Sequence, residues 1–525
     1  MISVNRLLRL TLLCTALLTL WSTVGHAAVS TNLPLDDPVY ALLEKLVTSN
    51  LTFRNALTIK PITRLYAAQL IAEAIRQRRH EWESAQREAP FMDQTLQHLA
   101  GRFKQELRQI GFFYQPRRPG PVILTLPGEL KLDVIGAYDP FIQRDASGNL
   151  QGVFSLNEGF AHGNDFSMRL RAASWGTFWQ NLAAYLEAET IIRSDPILGN
   201  TFDGQLHKGY LKISSLNLEL EFGRDTMWWG PAAQGDLVLS ANAAPLDLLK
   251  ISTPSPFRLP GLAQLGEWQL AYFVARLESK RTVSHALLNG LRATYQPTSF
   301  LQLGYTSAFQ AYGENGISLD TADYITHLFA PPLNNKAHSA NGLAAYDVVL
   351  SVPFVREITF LQGAKFYWQR GQDSSRDIRG LLGGGNILGG MIDGGRWDVR
   401  IEFAETRHQG AIWYTHPRYQ SGFAFKRFFL GHPIGGDAES IFGRATYYLQ
   451  PTTWAAFDGR REQYDVTTQA ASTTQHRFGL EASHLLFLKP RHLTLWGRIE
   501  YAMLDRPQAN RKHTFNVRLS ARLRF

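Results

Sequence analysis

The sequence is almost without cysteine. Of 525 residues only Cys14 is one, and it sits in an apolar N-terminal stretch that reads as a secretory leader. Disulfides and thiolate metal sites are thereby excluded from the mature chain, although an exported protein could form disulfides. Leu13, before that cysteine, is not a small residue, which argues against lipoprotein cleavage. After the leader there is no run of about 18 apolar residues, so no membrane-spanning helix is expected. There is no fixed-period repeat, and no low-complexity tract beyond the Gly-rich 380–395. The formal net charge is +9, without a clustered basic helix. That leaves a mild bias toward anionic partners such as lipopolysaccharide or acidic polysaccharide, with nucleic acid the weakest of them in an exported chain.

What is present begins with the leader. Arg6 and Arg9 form its basic region, Leu10 to Trp21 its apolar core, and Gly25 and Ala27 a small-x-small cleavage site, so residues 1–27 are set aside as a signal peptide. Residues 28–120 read as a small periplasmic helical bundle. Asp36, Asp37 and Pro38 are start signals, followed by a stripe at Tyr40, Leu43 and Leu46. A second helix follows Pro61. A third spans about 91–110, with Leu96, Leu99, Phe103, Leu107 and Ile110 spaced three or four apart. Gln115 to Pro121 is the linker.

From Gly128 the period falls to 2. The last residues show it best: Phe515, Val517, Leu519, Ala521, Leu523 and Phe525 fall on one face, and Asn516, Arg518, Ser520, Arg522 and Arg524 on the other. Strands at 182–189, 216–222 and 493–503 alternate likewise, with carboxylates and guanidiniums on the polar face. Charges facing lipid would cost about 2–4 kcal/mol each at mid-membrane, so the polar face is the lumen. The fold class expected for 121–525 is a transmembrane antiparallel β-barrel of about 18 strands in the outer membrane. A closing strand ending in Phe resembles the assembly signal of Gram-negative barrels, which implies the barrel-assembly machinery as a partner beside lipid and lipopolysaccharide. Short periplasmic turns are expected at 296–298, 450–452 and 489–491. Outer loops are expected at about 312–342, 371–394, 431–440 and 459–475.

The stretch 223–262 differs from its surroundings. Trp228-Trp229-Gly230-Pro231, Gly235-Asp236-Leu237-Val238-Leu239-Ser240, Asn242 and Pro245 resemble the Wzi family of capsule-assembly proteins. So do Tyr419, Gly422, Gly431-His432-Pro433, Gly436 and Asp437-Ala438, and the run from Gly266-Glu267-Trp268 to Leu277-Glu278. The resemblance implies an 18-stranded outer-membrane barrel with a periplasmic helical bundle. It also implies lectin-like binding of capsular polysaccharide or a related exopolysaccharide at the cell surface, without catalysis. The alternative is a porin for sugars or other small solutes.

Candidate binding residues follow from loop chemistry. Arg376, Asp377 and Arg379 in one polar loop, and Arg460, Arg461 and Tyr464 in another, could hold uronic acids, since arginine pairs carboxylates in a fork geometry. Arg506, Arg511 and Lys512 lie in a shorter one. Their plainer role is solvation. Trp228 and Trp229 could stack on sugars, or could end a strand or pack a loop folded into the lumen; strand parity places them on the periplasmic side. His338-Ser339-Ala340-Asn341-Gly342 suggests a lipase only faintly, since no base and orienting group accompany the serine. The pairs Glu187/Glu189 and Glu219/Glu221 are read as partners of lumen cations rather than as a glycosidase dyad. His408 and His416 lack further ligands, so neither metal nor cofactor is expected.

Overall fold

The computed structural model describes residues 29–53, 57–83, 89–113, 122–139, 143–151, 156–162, 164–179, 181–194, 201–330, 340–352, 355, 361–373, 384–408, 411–466, 472–488, 490–507 and 510–525. The leader, the linker, Arg376, Asp377, Arg379, His338 and Ser339 lie outside the described residues.

Eighteen strands close into one antiparallel barrel. In chain order they are β1 (Val122–Tyr138), β2 (Asp165–Phe178), β3 (Leu182–Ser194), β4 (Thr201–Ser215), β5 (Leu218–Asp225), β6 (Leu246–Ser252), β7 (Glu267–Arg276), β8 (Leu287–Thr298) and β9 (Leu301–Ala311). They continue as β10 (Asn341–Ser351), β11 (Gly363–Asp373), β12 (Asn386–Asp393), β13 (Trp397–Glu405), β14 (Ala438–Gln450), β15 (Thr453–Tyr464), β16 (Thr473–Leu488), β17 (Arg491–Asp505) and β18 (Lys512–Arg524). The seam joins β1 to β18 from Glu129↔Arg524 to Tyr138↔Phe515. Closure leaves no open edge, as a lipid environment requires. The alternation is visible in β4, where Tyr210, Lys212 and Ser214 are buried while Leu211 and Ile213 are exposed. In β18, Asn516 is buried and Phe515 and Leu519 are exposed. No described helix is long and apolar enough to cross a membrane.

The barrel has a short-turn end, where β4–β5, β8–β9 and β14–β15 are joined by two residues each, and a long-connection end. The turn expected at 296–298 falls two residues later, because Gln296 to Thr298 remain in β8 through a register irregularity.

The helices are α1 (Val39–Thr48), α2 (Arg64–Glu83), α3 (Pro90–Arg102) and α4 (Lys104–Gln109). The expected third helix breaks at the fully buried Phe103. Leu43, Leu46, Ala68, Ile71, Leu99 and Leu107 make their shared core, and Tyr448 of β14 belongs to it. The helices are therefore docked in the short-turn mouth rather than separate from the barrel. Because the lumen wall is polar, the docking uses ion pairs. Lys45 meets Asp393 at 2.8 Å and Asp398 at 3.1 Å. Glu44 meets Lys365, and Arg400 at 2.5 Å. Asp36 meets Lys131 at 2.8 Å, Arg171 at 2.7 Å and Arg522 at 2.9 Å. Asp37 meets Arg102, and Arg524 at 2.7 Å. Burial alone would raise the Asp37 carboxyl, but Arg102 and Arg524 outweigh it and hold it well below the usual carboxylate range.

Candidate functional site: a basic cap over a filled lumen

The 226–245 connection joins β5 to β6 at the long-connection end. Parity had put the whole stretch 223–262 at the short-turn end, where only 253–262 lies. β6 is hidden inside the stretch 223–262, and its upper lumen residues Leu246 and Leu248 are apolar and buried. From that end the connection folds down into the lumen. Trp229 pairs with Ile59, Trp228 with Lys60, and Gly230 N–H donates to Thr58 O at 2.8 Å. Trp229 is 1% exposed and meets the Phe273 ring at 5.2 Å, so it packs rather than offering a face to a ligand. Trp228 is half-buried, with its Nε1 donating to the Asp236 carboxyl group. Burial and the nearby Asp347 push the Asp236 carboxyl up to about 8.

The 406–437 connection fills the other part of the lumen. Its Trp413, Tyr414, Phe423 and Phe429 join Leu237, Val238 and Trp229 in one apolar core. Tyr414 OH donates to Leu237 O at 2.7 Å and accepts from His432 N at 2.9 Å. The stretch 431–437, expected as a surface loop, is buried throughout. Burial, followed by the charge of Arg460, pushes the His432 imidazole down to about 3, so it is neutral.

The second predicted loop is also corrected. Arg460, Arg461 and Tyr464 belong to β15, which runs on to Tyr464. Arg460 faces the lumen and reaches Gln234 and Glu462. Arg461 points outward and contacts Gln463 at 3.2 Å. Tyr464 is fully buried and donates to Glu462 at 3.0 Å. The carboxylate pairs behave as lumen partners: Arg169–Glu189 at 2.6 Å, Arg171–Glu187 at 3.3 Å, Lys212–Glu219 at 2.6 Å and Lys250–Glu221 at 2.7 Å.

Above the filled lumen lies a cap that sequence reasoning missed. Gln143–Arg144, Leu150–Gln151, Phe428–Phe429 and Ala424–Phe425 form a four-stranded sheet from two connections. Ser147 bonds Gln420 O, Thr282 bonds Ser421, and Arg281 bonds Gly422 O and Ala424 O, so a third connection is tied in. Arg418 Nε donates to Asn315 O at 2.9 Å, which ties in a fourth. Arg144, Lys280, Arg418, Lys426 and Arg427 are exposed on this cap. Lys426 and Arg427 form the two-residue tip of a hairpin, at φ +49° and +69°. Such tips favour Asn-Gly, because both residues need positive φ. Holding Lys and Arg there costs strain of the kind that gathers at functional sites. The signal was the pair Lys426-Arg427 between aromatics, inside a stretch read only for its family pattern.

A closed antiparallel barrel with an apolar outer face and a polar lumen wall is an outer-membrane β-barrel protein. Residues 138–515 match the sequence profile of the family described as Capsule assembly protein Wzi, and the chain belongs to that family. Wzi of Escherichia coli is described as an outer membrane protein involved in group 1 capsule assembly and as a carbohydrate-binding β-barrel. It superposes with a TM-score of 0.66 at 16% identity, over 96% of this chain and 100% of that one, a likeness in fold. An uncharacterised 55.8 kDa protein in the cps region of Klebsiella pneumoniae is 26% identical over 187 residues, 35% of this chain. The match spans 36% of that relative's length. A BenF-like porin from Pseudomonas fluorescens Pf-5 reaches a TM-score of 0.46 at 11% identity, over 76% of this chain and 98% of that one.

Proposed function

We propose that the basic cap binds capsular polysaccharide, or a related acidic exopolysaccharide, at the cell surface and anchors it without chemical change. The helices then lie in the periplasm and the cap outside. The observation that carries this reading is the Lys426-Arg427 hairpin tip, a strained turn that presents two cations on a rigid sheet. Family membership and the carbohydrate binding described for the E. coli protein support it. Each exposed ion pair is worth about 0.2–1 kcal/mol and is screened by salt. Retention must come from many polymer repeats meeting many copies of the cap.

The test exploits the turn. Replacing Lys426 by Asn and Arg427 by Gly gives the hairpin its preferred residues while removing both charges, and Arg144, Lys280 and Arg418 are replaced by Gln. Polymer retained on cells is measured across a salt series. Release at lower salt than the parent is expected; equal retention at every salt concentration overturns the reading. Arg376, Asp377 and Arg379 form a second variant in the same assay. The porin reading meets a lumen occupied by two connections, and large steady openings in planar bilayers would favour it instead.

A further inference from the structure

Below the apolar lumen core, three tryptophans keep part of their surface uncovered. Trp228 from the 226–245 connection, Trp454 of β15 and Trp496 of β17 are half-buried and line one cavity of about 440 Å³. A second cavity of about 320 Å³ shares Trp496, Glu481, Arg518 and Asn157 with it. Toward the short-turn end, Pro38, Trp454 and Thr494 are shared with a third of about 660 Å³, which reaches the turn residues Pro451 and Pro490. The chamber therefore looks toward the short-turn mouth, away from the cap.

The arginines of the second cavity's wall are mostly paired. Arg444 pairs with Glu481 at 2.7 Å, Arg498 with Asp458 at 2.6 Å, Arg477 with Glu500 at 3.4 Å and Arg460 with Glu462 at 3.3 Å. Arg518, which lines both cavities, is the exception. It donates to Asn157 Oδ1 at 2.8 Å and forms no ion pair among the described residues, although the Asp133 and Glu500 charges act on it from farther off. A guanidinium in a partly dehydrated lumen is unfavourable until an anion or water meets it. An arginine without an ion pair suits a carboxylate, which it receives in a fork geometry. Indole faces suit the C–H face of a sugar ring.

We propose that this chamber is a second saccharide site, which takes a uronic acid unit from the short-turn mouth with its carboxylate on Arg518 and its ring against Trp496. The inference goes beyond the cap reading: it uses other residues on the opposite side of the lumen core.

The experiment uses the full chain in detergent, with trigalacturonate, its methyl ester and maltotriose as probes, and tryptophan fluorescence and calorimetry as readouts. The background is the cap variant, so that cap binding cannot contribute. Trigalacturonate should bind about tenfold or more tighter than its ester, as one charge-assisted contact implies. Arg518→Gln should remove that preference, and Arg518→Lys should restore part of it. Polymer retention on cells should be the same in Arg518→Gln as in the parent. Equal binding of acid and ester, or binding that is present in the parent and lost in the cap variant, overturns the chamber and leaves the cap reading standing. An Arg518→Gln protein that binds trigalacturonate like its parent also overturns it. Should that variant fail to insert, the acid–ester comparison in the cap variant still decides.

Discussion

Ile59 and Trp229 are antiparallel backbone partners inside the barrel, although one belongs to the segment between α1 and α2 and the other to the connection between β5 and β6. The first comes up from the short-turn mouth and the second down from the opposite end. Trp229 N–H also donates to Leu239 O at 3.1 Å. Lumen plug and long-end connection are thus one packed body.

Trp229→Ala should loosen that body by about 3–5 kcal/mol, the cost of emptying a buried aromatic site. The strand ladders around the seam do not depend on this ring. Hydrogen exchange should accelerate at 57–60 and 228–239 while β15 to β18 keep their protection. Unchanged exchange in both regions would refute the clasp.

Gly230 sits at φ +138°, and a methyl group there would overlap the carboxyl of the buried Asp236. Gly230→Ala should therefore displace the Asp236 contact with Trp228. Trp228 fluorescence, taken as the difference between spectra with and without a Trp228→Phe substitution, should shift to the red; an unshifted difference spectrum counts against the close fit.

Lys45→Met leaves Asp393 and Asp398 without their shared cation. Removing one partner of a buried pair costs about 3–5 kcal/mol. The helices should become sensitive to added protease in detergent, with the heat-modifiable barrel band retained on gels. Protection equal to that of the parent would show that the other ion pairs suffice.

Acid should loosen the 406–437 packing through His432. Its folded-state value of about 3 lies below the unfolded value near 6.5. The unfolded state therefore binds the proton first, and stability present above pH 6.5 is lost as pH falls toward 3. At pH 4 the loss is about 3 kcal/mol, at roughly 1.4 kcal/mol per pH unit. His432→Gln, which keeps an acceptor for Ile434 N–H, should flatten the pH dependence of exchange at 412–437. An equally steep profile in the variant would assign the effect elsewhere.

The barrel was legible because lipid and a wet lumen impose opposite chemistries on alternate residues, and β4 and β18 show it residue by residue. The helices were legible from spacing, although the break at Phe103 was not. Legibility failed where the lumen is dry. Leu246 and Leu248 face a packed core, so β6 loses its polar face and reads as loop, which put the whole of 223–262 at one end of the barrel. The same dryness hid the 431–437 stretch, whose polar residues are buried among backbone partners. The cap cations were obscure for another reason: Lys and Arg at positive φ are not turn signals in a sequence, and only the hairpin around them shows where they point.

The seam has a consequence for the order of assembly. Arg524, in the last strand, closes β18 against Glu129 of β1 and also grips Asp37 of the plug. Lys45 finds its partners in β12 and β13, some 350 residues along the chain. Contacts so distant in sequence carry the loop-closure entropy that slows folding. An early-made segment must therefore wait for the latest strand before its anchor is complete. Final docking of the N-terminal helices thus reports that the wall has closed, and an incompletely zipped barrel would leave them unlatched for proteases to sample.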